Sequence, residues 1–194
     1  MAGKPEAGTL DLMSDRMFLA LELGDEARHA VAAHLQSSLG GKKLPGKPVP
    51  PENWHITMRF LGPTKAVERD AILAHLDQHV MVEPFRIRFT EFGGFPREEK
   101  ASVLWLGIDG DLDSLSALAM ECETAAQSAG MEPEGRPFHP HLTLSRIRPP
   151  FDIRTLAEQF PPARIVQDVS EVTLYRSVFG SGPVRYEAVE RVSL

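Results

Sequence analysis

The sequence predicts an α+β fold in which antiparallel sheets carry helices on their outer side. Short segments of alternating hydrophobicity recur along the whole chain, which marks half-buried strands. Only four segments have helical periodicity, too few to bridge every strand pair with a crossover helix. The last two strands are joined by Gly180-Ser181-Gly182-Pro183, a hairpin-like connection between antiparallel neighbours. At 194 residues the chain fits one domain, or two small lobes sharing a core.

The elements follow in order. Arg16 to Leu23 alternates as a strand, and Asp25 to Leu39 spaces its apolar residues as a helix, ending at Gly40-Gly41. Residues 42–53 hold four prolines and a glycine and are expected to form a loop. Trp54 to Leu61 is a strand closed by Gly62-Pro63; Ala66 to Val80 is a helix; Phe85 to Phe92 alternates as a strand. Gly93-Gly94-Phe95-Pro96 is expected to turn the chain before a buried strand at Val103 to Ile108. A helix over Leu112 to Ala129, a loop over Arg136 to Pro140 and a strand over His141 to Ile147 repeat the rhythm. A short helix near Ile153 to Phe160 and closing strands at Val169 to Ser177 and Val184 to Val192 complete it.

Composition narrows the function. Hydrophobic residues make up 42% and charged residues 25%, as in soluble globular proteins, and the net charge is −6. An acidic chain is ill suited to coating long nucleic acid, because that binding depends on neutralising many phosphates. Cys122 is the only cysteine, so no intrachain disulfide and no four-cysteine zinc site can form. A cytoplasmic location is expected. Residues 1–14 lack a continuous apolar stretch and are expected to be a flexible tail rather than a signal or anchor, with Met13 as an alternative start. Residues 15–194 then form the folded domain, expected to be monomeric.

The chemistry is carried by an internal echo. Trp54-His55-Ile56-Thr57-Met58 and Pro140-His141-Leu142-Thr143-Leu144 lie 86 residues apart, and each opens a strand after a proline-containing loop. In a strand, residues i and i+2 share a face, so His55 projects with Thr57 and His141 with Thr143. Two imidazoles and two hydroxyls converging on one cleft suit a phosphate. One histidine can take a proton while the other gives one, and the hydroxyls can donate to non-bridging oxygens.

The flanks of both copies sharpen this. Val49-Pro50-Pro51-Glu52-Asn53-Trp54-His55-Ile56-Thr57-Met58-Arg59-Phe60-Leu61-Gly62 resembles the first motif of the 2H phosphoesterase superfamily. More narrowly, it resembles the bacterial RNA 2′,3′-cyclic phosphodiesterases, also called 2′-5′ RNA ligases. Arg136-Pro137-Phe138-His139-Pro140-His141-Leu142-Thr143-Leu144-Ser145-Arg146 resembles the second motif. Arg16-Met17-Phe18-Leu19-Ala20, Gly94-Phe95-Pro96, Val103-Leu104-Trp105-Leu106-Gly107, Leu174-Tyr175-Arg176-Ser177 and Arg185-Tyr186-Glu187 match as well. The resemblance implies a bilobal fold, with two antiparallel sheets in pseudo-twofold arrangement around a central cleft. It implies hydrolysis of 2′,3′-cyclic phosphate at RNA or nucleotide ends to a 2′-phosphate, with no metal and no cofactor. His55 would be the proton donor and His141 the proton acceptor, with Thr57 and Thr143 holding the phosphate. RNA ends are the expected partners, with neither DNA nor a membrane involved. Ligation or cleavage of 2′-5′ linkages, and a non-catalytic nucleotide- or RNA-binding module, are the alternatives.

Other candidates are weaker. Arg146 matches the family arginine after the second motif, but strict alternation sends it to the opposite face, so a bulge must re-aim it. Arg59 shares parity with His55 and either meets phosphate or is a solvated surface residue. Phe138 either stacks on a base or packs. Phe18, Phe95 and Tyr175 share that ambiguity, with buried packing favoured. His139 is expected to line the cleft mouth or to be exposed, and His75 and His79 to lie on a solvated helix face. Cys122 is expected to be packed in its helix. Basic residues gather beside both motifs, including Lys42, Lys43 and Lys47 before the first and Arg146, Arg148 and Arg154 after the second. Either they meet a short RNA end or they are ordinary loop charges.

Overall fold

In the computed structural model the described residues are 14–194; the expected tail and Met13 lie outside them, apart from an exposed Ser14. Nine strands run in chain order: β1 (Asp15–Glu22), β2 (Lys47–Pro48), β3 (His55–Thr64), β4 (Phe85–Phe95), β5 (Ala101–Gly110), β6 (His141–Phe151), β7 (Ile165–Val169), β8 (Glu171–Val178) and β9 (Arg185–Ser193). Helices α1 (Asp25–Leu39), α2 (Ala66–His79), α3 (Leu112–Ser128) and α4 (Arg154–Gln159) lie between them.

The strands form two antiparallel lobes, ordered β7-β4-β5-β6 and β3-β1-β8-β9. A single register pair, Ile56 with Leu142, joins β3 to β6 and makes the two lobes one continuous path. The pseudo-twofold relation is visible in connectivity. β1-α1-β3 and β5-α3-β6 are equivalent units, each an antiparallel pair with a helix between its strands. Each unit's helix reaches across the seam, α3 to β3 and α1 to β7, while α2 packs on α3 and β9. One hydrophobic cluster therefore runs through both lobes, from Leu19 and Leu21 of β1 to Ile87 and Phe89 of β4.

Local chemistry explains the elements. Ala27, Val31 and Leu35 bury one stripe of α1, and the chain leaves the helix through Gly40 at φ 54, a left-handed conformation that glycine tolerates. Asp111 caps α3 by accepting from the Ser114 backbone N–H at 2.9 Å. Leu115, Leu118, Cys122 and Ala125 line that helix's buried side, so Cys122 is packed and burial pushes its thiol pKa up.

Three segments depart from the sequence-based expectation. Gly93-Gly94 does not turn the chain, because β4 continues through it to Phe95. A Cβ on Gly93 would collide with the indole of Trp105, its partner across β5, so the glycine makes room for a ring laid on the sheet. The second is β7, an unforeseen strand whose buried Gln167 donates to the Glu22 carbonyl at 2.8 Å and accepts from the Gly24 N–H at 3.2 Å. The third is β2, a two-residue strand within the proline-rich loop, which pairs with β6 through Lys47–Arg146 and Pro48–Ser145. It covers the β6 edge where β3 diverges.

Candidate active site

The Ile56–Leu142 pair fixes the register at the seam. Counting outward along antiparallel strands, His55 stands opposite Thr143 and Thr57 opposite His141. Ile56, Met58, Leu142 and Leu144 are buried on the helix side, whereas His55, Thr57, His141 and Thr143 are half-buried on the other. The four polar residues thus form a quartet on one face, around the point where the lobes join.

Both imidazoles are oriented the same way. Nδ1 of His55 lies 2.8 Å from the Asn53 carbonyl, and Nδ1 of His141 lies 2.7 Å from the His139 carbonyl. A carbonyl can only accept, so Nδ1 carries the proton and donates it, leaving each Nε2 free for chemistry. Burial pushes His55 from 6.5 down to about 4; the Asn53 carbonyl opposes this, and the charges of Arg146 and His141 reinforce it. His141 is lowered too, first by burial, against its bond to the His139 carbonyl, and then by His139 and Arg146. In the free protein both histidines are therefore mainly neutral near pH 7.

Two sets of rings flank the quartet. On one side, Phe18 lies 4.8 Å from His55, stacks on Tyr175 at 5.3 Å and meets the edge of Tyr186 at 4.9 Å. Phe18, Ala20 and Tyr175, with Tyr186 against them, make a small apolar cluster separate from the main core. On the other side, Phe95 packs edge-on to His141 at 4.9 Å and to His139 at 5.1 Å, with Trp105 5.2 Å from Phe95. Trp105 is the direct β5 partner of Thr143. Sequence reasoning singles out neither Trp105 nor Tyr186 as an individual site residue. The alternation Val103-Trp105-Gly107, opposite the buried Leu104 and Leu106, is the available signal for Trp105.

The structure re-aims two arginines. In β6, Leu144 and Ser145 are both buried, and the pairing with β5 slips at this point. This bulge returns Arg146 to the His141 face: its β5 partner Val103 stands two residues from Trp105, the partner of Thr143. A matching irregularity in β3 buries Met58 and Arg59 together, which corrects the expectation that Arg59 shares the His55 face. Arg59 points to the helix side, pairs with Glu123 of α3 and donates to the Phe60 and Glu132 carbonyls at 2.5 and 2.6 Å. Phe60, 52% exposed and 6.2 Å from Phe18, takes the cleft-side position instead.

Phe138 requires a second correction. It is half-buried against the main core, and Phe95 and Trp105 are the rings beside His141. His139 is exposed next to Phe95 and Trp105. His75 and His79 stack at 4.4 Å on α2. Among the described residues, no group of three histidine, cysteine or carboxylate side chains is arranged to hold a metal ion.

Two antiparallel lobes with paired His-x-Thr strands at their seam define a 2H phosphoesterase-type protein. The family model described as the 2′-5′ RNA ligase superfamily matches residues 22–178, and the chain belongs to that superfamily. A protein of Escherichia coli named RNA 2′,3′-cyclic phosphodiesterase is 31% identical over 185 residues, covering 92% of this chain and 96% of the relative. A protein of the same name from Aeropyrum pernix is 31% identical over 160 residues, covering 78% and 89%. The crystal structure of E. coli LigT complexed with 3′-AMP superposes with a TM-score of 0.74 at 29% identity, covering 93% of this chain and 98% of that one. TT0787 of Thermus thermophilus superposes at 0.72 with 28% identity, covering 92% and 97%.

Proposed function

We propose that this protein hydrolyses 2′,3′-cyclic phosphates at RNA or nucleotide ends to 2′-phosphates, using His55 as acid and His141 as base. The observation that carries the reading is the shared imidazole orientation, in which both Nδ1 atoms are tied to carbonyls and both Nε2 atoms are left free, on the sheet face that also carries Thr57 and Thr143. His141 Nε2 accepts a proton from water, whose oxygen bonds to phosphorus. The phosphorus–O3′ bond breaks, and His55 delivers its proton to O3′. The threonine hydroxyls donate to the non-bridging oxygens, and Arg146 offsets the negative charge that accumulates there.

The acid must be protonated to act, and the free value of about 4 leaves little His55 charged near neutrality. A bound phosphate anion favours the imidazolium and raises that pKa. The same anion acts on His141, so binding lets the pair hold one proton; assigning that proton to His55 follows the resemblance of the first motif, and His141 then takes the proton from water.

A second reading is 2′-5′ joining, with a 5′-hydroxyl replacing water on the His141 side, where Phe95 and Trp105 offer rings to an acceptor nucleoside. We further propose a cytoplasmic monomer needing no metal or cofactor. Cys122 as the lone cysteine supports a reducing compartment, and no helix among the described residues is long and apolar enough to cross a membrane. The deciding experiment is product analysis with an RNA oligomer ending in a 2′,3′-cyclic phosphate. A 2′-phosphomonoester supports hydrolysis, joined strands in the presence of a 5′-hydroxyl oligomer support ligation, and an unchanged substrate refutes both.

A further inference from the structure

We propose that Lys47 and Arg148, flanking Arg146 at the reacting phosphate, extend it into a cationic track for the phosphates upstream of the reacting end, so that the site prefers an RNA oligomer to a mononucleotide. The proposal rests on the hydrolase reading, in which O3′ leaves toward His55.

Three observations place the track. Residues directly opposite in an antiparallel pair share a face, and Lys47 is the partner of Arg146. Arg148 is added by burial: the pairing of β6 with β5 slips beyond Arg146, but Ile147 is buried in the core between two exposed arginines, which puts both on the side away from it. All three cations are exposed on the face that carries His141 and Thr143, and none takes part in the ion pairs among the described residues.

Like charges directly opposite one another destabilise a strand pair, yet this pair is rigidly built. Gly46 sits at φ 80, and a Cβ there would collide with the Arg146 carbonyl. The Ser145 hydroxyl donates to the Pro45 carbonyl at 2.5 Å, and the Val49 N–H to the Leu144 carbonyl at 2.8 Å. The loop is held so that Lys47 lies beside Arg146, and an anion between them relieves the repulsion. By contrast, Arg28 and Arg191, which line the polar hollow next to His55, are already committed to Glu22, Asp25 and Glu171.

Direction follows from the quartet. His55 and Thr143 form the row nearer Arg146, and the ribose bearing O3′ must lie on the His55 side. The strand upstream of that ribose then leaves across Lys47, Arg146 and Arg148, whereas the opposite end of the quartet presents Phe60.

The test compares 2′,3′-cyclic AMP with a tetranucleotide ending in 2′,3′-cyclic phosphate, using wild type, Lys47→Gln, Arg148→Gln and the double variant. Each single change should lower kcat/KM for the tetranucleotide about three- to fivefold, as expected for one exposed charge contact, and leave cyclic AMP within about twofold. Anisotropy of a labelled tetranucleotide ending in a 2′-phosphate should lose about 0.7 from its log Kd against log salt slope for each cation removed. Parallel losses on both substrates, or an unchanged salt slope, would overturn the track. If wild type turns over neither substrate, the hydrolase reading fails while the anisotropy slope still decides the track.

Discussion

Arg59 and Ser145 occupy the same place in the two halves, 86 residues apart, and each braces the loop that leads into the other's motif. Arg59, after the first His-x-Thr, donates to the Glu132 carbonyl ahead of the second; Ser145, after the second, donates to the Pro45 carbonyl ahead of the first. Each is buried by its strand's bulge, so neither motif is positioned by its own half alone.

A structural role for Arg59 has a measurable signature. Arg59→Ala leaves Glu123 facing a mostly buried gap and should destabilise the fold by about 3 kcal/mol. Urea denaturation reads this as a lower midpoint. A stable variant with a raised KM would instead return Arg59 to the substrate.

Under the proposed mechanism, removing either imidazole should act on rate rather than on folding. His55→Asn and His141→Asn should each lower kcat by at least about 100-fold, the usual worth of a positioned proton transfer. Both should keep the wild-type circular dichroism spectrum, since these side chains are half-buried on the face away from the main core. A folded variant with near-native turnover at either position would sink the paired mechanism.

The two roles separate by leaving group. An activated diester with a p-nitrophenolate leaving group needs little protonation, so His55→Ala should recover part of its lost kcat/KM on it relative to a cyclic nucleotide. His141→Ala should remain impaired on both, because water must still be activated. Rescue of His141→Ala instead would exchange the assignments.

His55 also makes stability depend on pH. Its folded value of about 4 lies below the ordinary 6.5, so the unfolded chain takes up the proton first as pH falls. Its contribution is complete above about pH 6.5 and is lost as pH drops toward 4. Thermal unfolding should show a smaller fall in Tm between about pH 7 and pH 5 for His55→Asn than for wild type. Equal falls would mean that the ring is not protected from protonation.

The glycine floor under Trp105 gives a steric test. Gly93→Ala should cost about 1–3 kcal/mol, because the ring cannot stay where a methyl group intrudes. Adding Trp105→Ala should remove most of that penalty, so the double-mutant cycle should show strong coupling. Additive losses would place the ring elsewhere.

Much of this is legible in the sequence because strand parity is simple. Alternation places His55 with Thr57 and His141 with Thr143, and the matching apolar residues place both strands against a core. Parity fails where the strand itself is irregular. Leu144-Ser145 and Met58-Arg59 each bury two consecutive residues, which sequence alternation cannot foresee, so Arg146 needs an assumed bulge and Arg59 is sent to the wrong face. Strands β2 and β7 are hidden for another reason. Two residues among prolines carry no periodicity, and the tie between β7 and the end of β1 depends on Gln167, whose partners lie 143 and 145 positions away.

The near-twofold seam also bears on directionality. Two identical chains meeting at such an axis would be obliged to show the same side chain at both ends of their shared groove. Here both halves belong to one polypeptide, and equivalent positions hold Arg146 at one end and Phe60 at the other. A symmetric frame has thereby become a groove with a head and a tail, and a polymer with chemically distinct ends fits it in one orientation.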